Sequence, residues 1–136
     1  MAFIDLATIL THVGSISNYC LRAYSAGERA DSIEDSMDCG LRDKVAVVTG
    51  SSRGLGLATA KSLAAEGCRV CLCARGEQRL RDAVGEVAAV AGEAGRVVHV
   101  VADVAQAEGV QSVIDQAAEA FGGIDILVNN VGMAGG

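Results

Sequence analysis

The stretch that decides the fold is VAVVTGSSRGLGLATAKSLAAEGCRVCLCAR, residues 45–75. A short run rich in β-branched residues ends at Gly50, and a turn holding Gly50, Gly54 and Gly56 follows. The next segment is helical in spacing, and a second apolar run begins at Arg69. Residues 44–49 form a nearly continuous apolar run, the pattern of a strand covered on both faces. From Leu55 to about Glu66, Ala58, Leu63 and Ala65 fit a helix, and Gly67 follows as its C-terminal cap. Residues 69–74 read as the second strand. Strand, tight turn, helix and strand in some thirty residues make one βαβ unit.

The alternation continues downstream. Leu80, Val84, Val87 and Ala91 lie on one face of a helix over 78–91, and residues 96–102 read as a third buried strand. Val110, Val113, Ile114, Ala117 and Phe121 make another helical face, closed by Gly122 and Gly123, and residues 124–129 are strand four. Short connections between alternating strands and helices predict right-handed crossovers in a parallel sheet. The expected fold is therefore α/β, an incomplete doubly wound Rossmann-type sheet with its four strands in spatial order 3-2-1-4.

Such a sheet binds its ligand at the carboxyl ends of the strands, beside the point where the strand order reverses. TGSSRGLG, residues 49–56, sits there. Gly50 permits a sharp exit from the strand, Gly54 lets backbone approach a pyrophosphate, and Gly56 lets the helix pack closely. The N–H groups and dipole of the helix then face the phosphates, which marks Gly50, Ser51, Ser52, Arg53, Gly54, Leu55 and Gly56 as the phosphate loop of a dinucleotide site.

Composition excludes several rival classes. The net charge of −6 argues against a nucleic-acid partner, because phosphate neutralisation needs clustered Lys and Arg. No apolar run is long enough to span a bilayer, so no membrane partner is expected. Of five cysteines, Cys68, Cys71 and Cys73 lie in an apolar run without a second ligand pair or nearby His, so they read as reduced core thiols and no metal is assigned. A cytoplasmic location is expected.

Residues 1–40 differ from the rest and are expected to be a flexible leader ahead of the nucleotide-binding half domain at 41–136. Phe3, Leu6, Leu10 and Val13 have helical spacing, which predicts a short amphipathic helix over 3–13. Residues 25–40 are acidic and polar. Organelle targeting is the weaker alternative, since such peptides are Arg-rich and poor in acids.

TGSSRGLG, with its Thr49, Gly54 and Gly56, together with NNVG at residues 129–132, resembles the paired fingerprints of the short-chain dehydrogenase/reductase family. The likeness is to its classical type and is similar to 3-oxoacyl-carrier-protein reductases, over about residues 41–136. It implies hydride transfer between a nicotinamide cofactor and a carbonyl or alcohol substrate. The resemblance also implies that Asp103 bonds the adenine amino group, with the Val104 N–H on the ring. Asn129 is implied to tie strand four to its neighbours, and Asn130, Val131 and Gly132 to line the ribose. Asp103 read without the resemblance is a helix cap. The end of strand two selects the cofactor: an acidic residue there suits NAD, whereas Ala74 followed by Arg75 suits a 2′-phosphate, with Arg53 as a second cation. NADP(H) is therefore favoured over NAD(H).

The family's chemistry uses a Tyr, a Lys four residues later, and a Ser, all downstream of the NNAG-like motif. Tyr19 and Tyr24 lie upstream of the fold, with Ala23 and Glu28 at the fourth following positions. His99 lies mid-strand and reads as a core or face residue. No catalytic residue is assigned, and the chain is expected to be the N-terminal part of a reductase whose parent is a homo-oligomer. A non-catalytic nucleotide-binding module and an unstable gene fragment stay open. With strand four outermost, its free edge predicts self-association.

Overall fold

The computed structural model describes residues 2–3 and 39–131. The elements are β1 (Ala2–Phe3), β2 (Val45–Thr49), α1 (Gly54–Ala65), β3 (Arg69–Ala74), α2 (Glu77–Ala91), β4 (Val97–Val101), α3 (Ala107–Phe121) and β5 (Ile126–Val128). All pairings are parallel, and the strands lie in the order β1-β5-β2-β3-β4. Counted from Val45, this is the expected 3-2-1-4 sheet of the doubly wound fold.

The continuous apolar runs follow from the two covered faces. Successive strand residues point to opposite sides. Ala46 and Val48, with Val70, Leu72, Ile126 and Val128, pack under Ala60, Leu63 and Ala64 of α1 and Leu80, Ala83 and Val87 of α2. Val47, Cys71, Cys73 and Val100 pack on the other face under Val113 and Ala117 of α3. All five residues of β2 are buried, as a central strand requires.

Three sequence expectations change. β4 is half open: Val97 and Val98 are half-buried, while His99 and Val101 are exposed, because among the described residues β4 is the last strand on its side and pairs with β3 alone. Strand four contracts to Ile126–Val128, since Asp125 meets Val45 through its carboxylate as well as its N–H: Val45 donates to Asp125 Oδ2 at 2.8 Å and Asp125 to the Val45 carbonyl at 2.9 Å. Phe3, expected at the start of a helix, lies instead in a strand that pairs Ala2 with Ile126 and Phe3 with Leu127. The remainder of the expected helix, and most of the leader, fall outside the described residues.

The amino ends of the strands are fastened by two arginines. Arg69 donates from Nη2 and Nε to the Asp43 carbonyl at 3.0 and 3.3 Å and from Nη1 to the Phe121 carbonyl at 3.2 Å. Its guanidinium also stands 5.5 Å from the Phe121 ring centroid. Arg96 bonds the Asp43 carboxylate at 2.8 Å and the Gly67 carbonyl at 3.2 Å. Asp43 is held at φ +62 by this arrangement, a conformation unusual for a residue with a side chain.

Candidate functional site

Because every strand is parallel, the turns leaving their carboxyl ends share one edge of the sheet. The structure therefore brings together the loop at residues 50–53, the Ala74 to Arg75 turn, Asp103 with Val104, and Asn130 with Val131. Gly132 falls outside the described residues.

The loop is fixed from both sides. Toward β3, the Ser51 N–H donates to the Cys73 carbonyl at 3.1 Å, and the Cys73 N–H donates to Ser51 Oγ at 2.9 Å. Toward β5, Thr49 Oγ1 donates to the Val128 carbonyl at 3.2 Å and accepts the Asn130 N–H at 3.0 Å. Asn130 Nδ2 then donates to the Gly50 carbonyl at 3.2 Å. Gly50 turns at φ +61, where its missing side chain leaves room for Asn130 and Val131.

These bonds sort the loop into an inner and an outer part. Ser51 is fully buried, and its N–H and hydroxyl are both engaged with the backbone of Cys73. Ser52 is half-buried, whereas Arg53, Gly54 and Leu55 are exposed, Leu55 at 54%. Gly56 is buried where α1 crosses the loop: a Cβ there would stand 2.3 Å from the Gly50 carbonyl oxygen.

The electrostatics of the edge favour an anion. Arg53 precedes α1 with no side-chain hydrogen bond capping the helix and no acidic residue in its first turn. The N–H groups of that turn are thus left to solvent or ligand, at the positive end of the helix dipole. Arg75 is exposed immediately after β3. Glu77, the nearest carboxylate in sequence, is paired with Arg81 at 2.5 Å.

At the third turn, Asp103 is half-buried and its Oδ1 accepts the Ala105 N–H at 3.0 Å. This is a local turn bond two residues on; the residue capping α3 is Gln106. Gly109, in the first turn of α3, is a contact that the sequence reading missed. A Cβ at Gly109 would stand 2.0 Å from the Asp103 carbonyl oxygen, so α3 presses directly on the turn. A glycine inside a helical pattern marks a close approach of this kind but not the partner it meets.

The structural tie expected of Asn129 belongs to Asn130. Asn129 is exposed, and the bonds that tie the end of β5 to the rest of the sheet belong to Asn130. Strand alternation explains this, since neighbouring residues point to opposite sides. His99 is exposed on β4, away from these turns, while His12, Tyr19 and Tyr24 lie outside the described residues.

Cys68, Cys71 and Cys73 are buried in the core, and among the described residues no cluster of His, Cys, Asp or Glu forms a metal site. Burial pushes the Cys71 thiol up to about 12, with Cys73 adding to it. Among the described residues no helix is long and apolar enough to cross a membrane.

Comparison with known proteins gives this edge a context. The sequence model described as short chain dehydrogenase matches residues 44–136. The short-chain reductase protein NovJ of Streptomyces niveus is 45% identical over 92 residues, covering 68% of this chain and 34% of its own length. The chain spans about a third of the length of the curated relatives it matches. Among solved structures, L-sorbose reductase from Gluconobacter frateurii, in complex with NADPH and L-sorbose, is 47% identical with a TM-score of 0.67. That match covers 71% of this chain and 36% of the reductase. Actinorhodin polyketide ketoreductase, as its F189W variant with NADPH, is 37% identical with a TM-score of 0.64, covering 69% of this chain and 35% of that one.

Proposed function

Since the chain belongs to the short-chain dehydrogenase family, we propose that its sheet edge binds NADP(H) in preference to NAD(H). In the whole protein this half domain serves hydride transfer between NADPH and a carbonyl or alcohol substrate. The outer loop, Ser52 to Gly56, and the amino end of α1 take the pyrophosphate. Gly50 and Ser51 hold the loop in shape. Asp103 and the Val104 N–H receive the adenine, Asn130, Val131 and Gly132 line the ribose, and Arg75 with Arg53 takes the 2′-phosphate.

One observation carries the preference: β3 ends in Ala74 and an exposed Arg75, where an acidic residue would receive ribose hydroxyls and repel a phosphate. Crowding at Gly56 supports the site as a whole, since it keeps the first turn of α1 against the loop. NADPH, when bound, supplies the hydride. This chain's residues hold the nucleotide and orient it. Proton transfer to the substrate is assigned to residues of the whole protein, because neither Tyr19 nor Tyr24 has Lys four residues on. Reduced thiols at Cys68, Cys71 and Cys73 suit a cytoplasmic setting.

Titration of NADPH and NADH against wild type and Arg75→Ala tests the assignment. Wild type is expected to prefer NADPH by about tenfold to hundredfold, the range of one charge-assisted bond. Arg75→Ala is expected to remove most of that preference while leaving NADH binding unchanged. Equal affinity of wild type for both nucleotides refutes the role given to Arg75. A full-length protein that binds NADPH yet reduces no carbonyl would favour a non-catalytic nucleotide module.

A further inference from the structure

Two turns at the carboxyl edge of the sheet are set by contacts with no room for a side chain. At the first, Gly56 lies against the Gly50 carbonyl, and the Asn130 side chain is the latch on that carbonyl. At the third, Gly109 of α3 lies against Asp103. A Cβ on Gly109 would stand 2.0 Å from the Asp103 carbonyl oxygen, 2.7 Å from its carbon and 3.2 Å from the Asp103 nitrogen. All three atoms are backbone, so nothing flexible is there to swing aside.

The turn is fastened from below and from the side. The Ala102 N–H donates to the Ala74 carbonyl at 3.1 Å, and the Gln106 N–H donates to the Asp103 carbonyl at 3.1 Å. The Ala105 N–H donates to Asp103 Oδ1 at 3.0 Å. None of these bonds uses Asp103 Oδ2 or the Val104 N–H. The helix is anchored as well, since Val113 and Ala117 are buried against Val47, Cys71, Cys73 and Val100. A side chain on Gly109 would therefore push the Asp103 backbone along the edge or lift the start of α3 from it. We propose that Gly109 is a positioning residue for the adenine: by letting α3 seat against Asp103, it fixes where the Asp103 carboxylate and the Val104 N–H stand. This role rests on the reading of those two groups as the adenine contacts. Adenine offers an amino group to the carboxylate and a ring nitrogen to the N–H, whereas hypoxanthine offers a carbonyl and a ring N–H, the reverse of both.

Titration of NADPH, NADH and reduced nicotinamide hypoxanthine dinucleotide phosphate against wild type, Gly109→Ala and Gly85→Ala tests this. Wild type is expected to bind NADPH about tenfold to hundredfold more tightly than the hypoxanthine nucleotide, the range of one charge-assisted bond. In Gly109→Ala that ratio should fall to about threefold or less, while the NADPH-to-NADH ratio stays as in wild type, because Arg75 stands on another turn. Gly85→Ala, at a helical glycine with open space around it, should keep both ratios. A Gly109→Ala variant that keeps the wild-type base preference overturns the role, and so does one that loses NADPH and the hypoxanthine nucleotide by the same factor, since that is a general structural effect. Wild type that binds NADPH without discriminating the base refutes the adenine contacts at Asp103 and Val104, and the role of Gly109 with them, yet leaves the 2′-phosphate reading in place. Should Gly109→Ala not fold, Val113→Ala, which loosens α3 one turn further on, is expected to lower the base preference, and an unmoved ratio there overturns the role equally.

Discussion

Gly56 shows at one residue how the loop and the helix are joined. A side chain there would meet the Gly50 carbonyl oxygen at 2.3 Å, its carbon at 2.9 Å and Asn130 Nδ2 at 2.5 Å. Two of these atoms are backbone and the third is the latch, so no flexible side chain is available to yield. Gly56→Ala is expected to destabilise the chain by roughly 1 to 3 kcal/mol, the range for overpacking a closed site. Its NADPH affinity should fall as well, because relief of the clash requires moving Gly50 or breaking the Asn130 bond. Thermal unfolding with a nucleotide titration checks both effects. An unchanged midpoint would mean that loop and helix are not held this close.

Among elements, the entry to β2 is set by charge. Asp43 offers its carbonyl to Arg69 at the start of β3 and its carboxylate to Arg96 just before β4, so three strands are pinned at their amino ends. The hydrogen bond from Arg96 holds the Asp43 carboxyl below the usual carboxylate range against the cost of partial desolvation, with the charges of Arg96, Arg42 and Arg69 each adding less. A carboxyl whose folded pKa is depressed adds stability above its unfolded value, about 3.9, and that stability is lost as pH falls through the folded value. Arg96→Gln is therefore expected to lower the melting temperature near neutral pH and to flatten its decline below about pH 4. Melting curves from pH 6 to pH 2 read this out. An acid limb as steep as that of wild type would show that the pair contributes nothing. The effect is modest in either case, since the Asp43 side chain is 62% exposed and water screens it.

For the molecule as a whole, the buried thiols set an alkaline boundary. Burial raises Cys68 and Cys73 to about 11 and Cys71 to about 12, and for Cys68 the carboxylates of Glu66 and Asp125 add to it. An unfolded thiol ionises near 8.5, so their stabilisation is complete below about pH 8.5 and is lost as pH rises toward the folded values. The chain is expected to lose stability steadily from about pH 9 upward, a trend that Cys71→Ala should weaken. Maleimide labelling at pH 7 with peptide mapping should leave Cys68, Cys71 and Cys73 unmodified until the protein is denatured. Labelling of Cys71 in the native chain would contradict a core packed under α3.

The alternation of apolar runs with helical stripes from Val45 to Val128 determined the parallel sheet, its order and both covered faces, because burial on two sides demands apolar residues at every strand position. The site's outline was legible for a related reason: only glycine fits where a helix begins against a strand's end, so TGSSRGLG announced its place. The sequence did not reveal which groups point inward. Ser51 and Arg53 are two residues apart in one loop, yet one is buried and the other exposed, and the latch falls on Asn130 while its neighbour Asn129 faces solvent. Nor did local pattern disclose that Gly109 abuts Asp103, that β4 is half open, or that Ala2–Phe3 pairs with β5. Each of these depends on neighbours distant in the chain, and the spacing of residues along one segment carries no record of what packs across from it. The amino acids alone therefore established which elements form from Val45 to Val128 and which turns meet at one edge of the sheet, and tertiary contact decided which atoms hold the loop there.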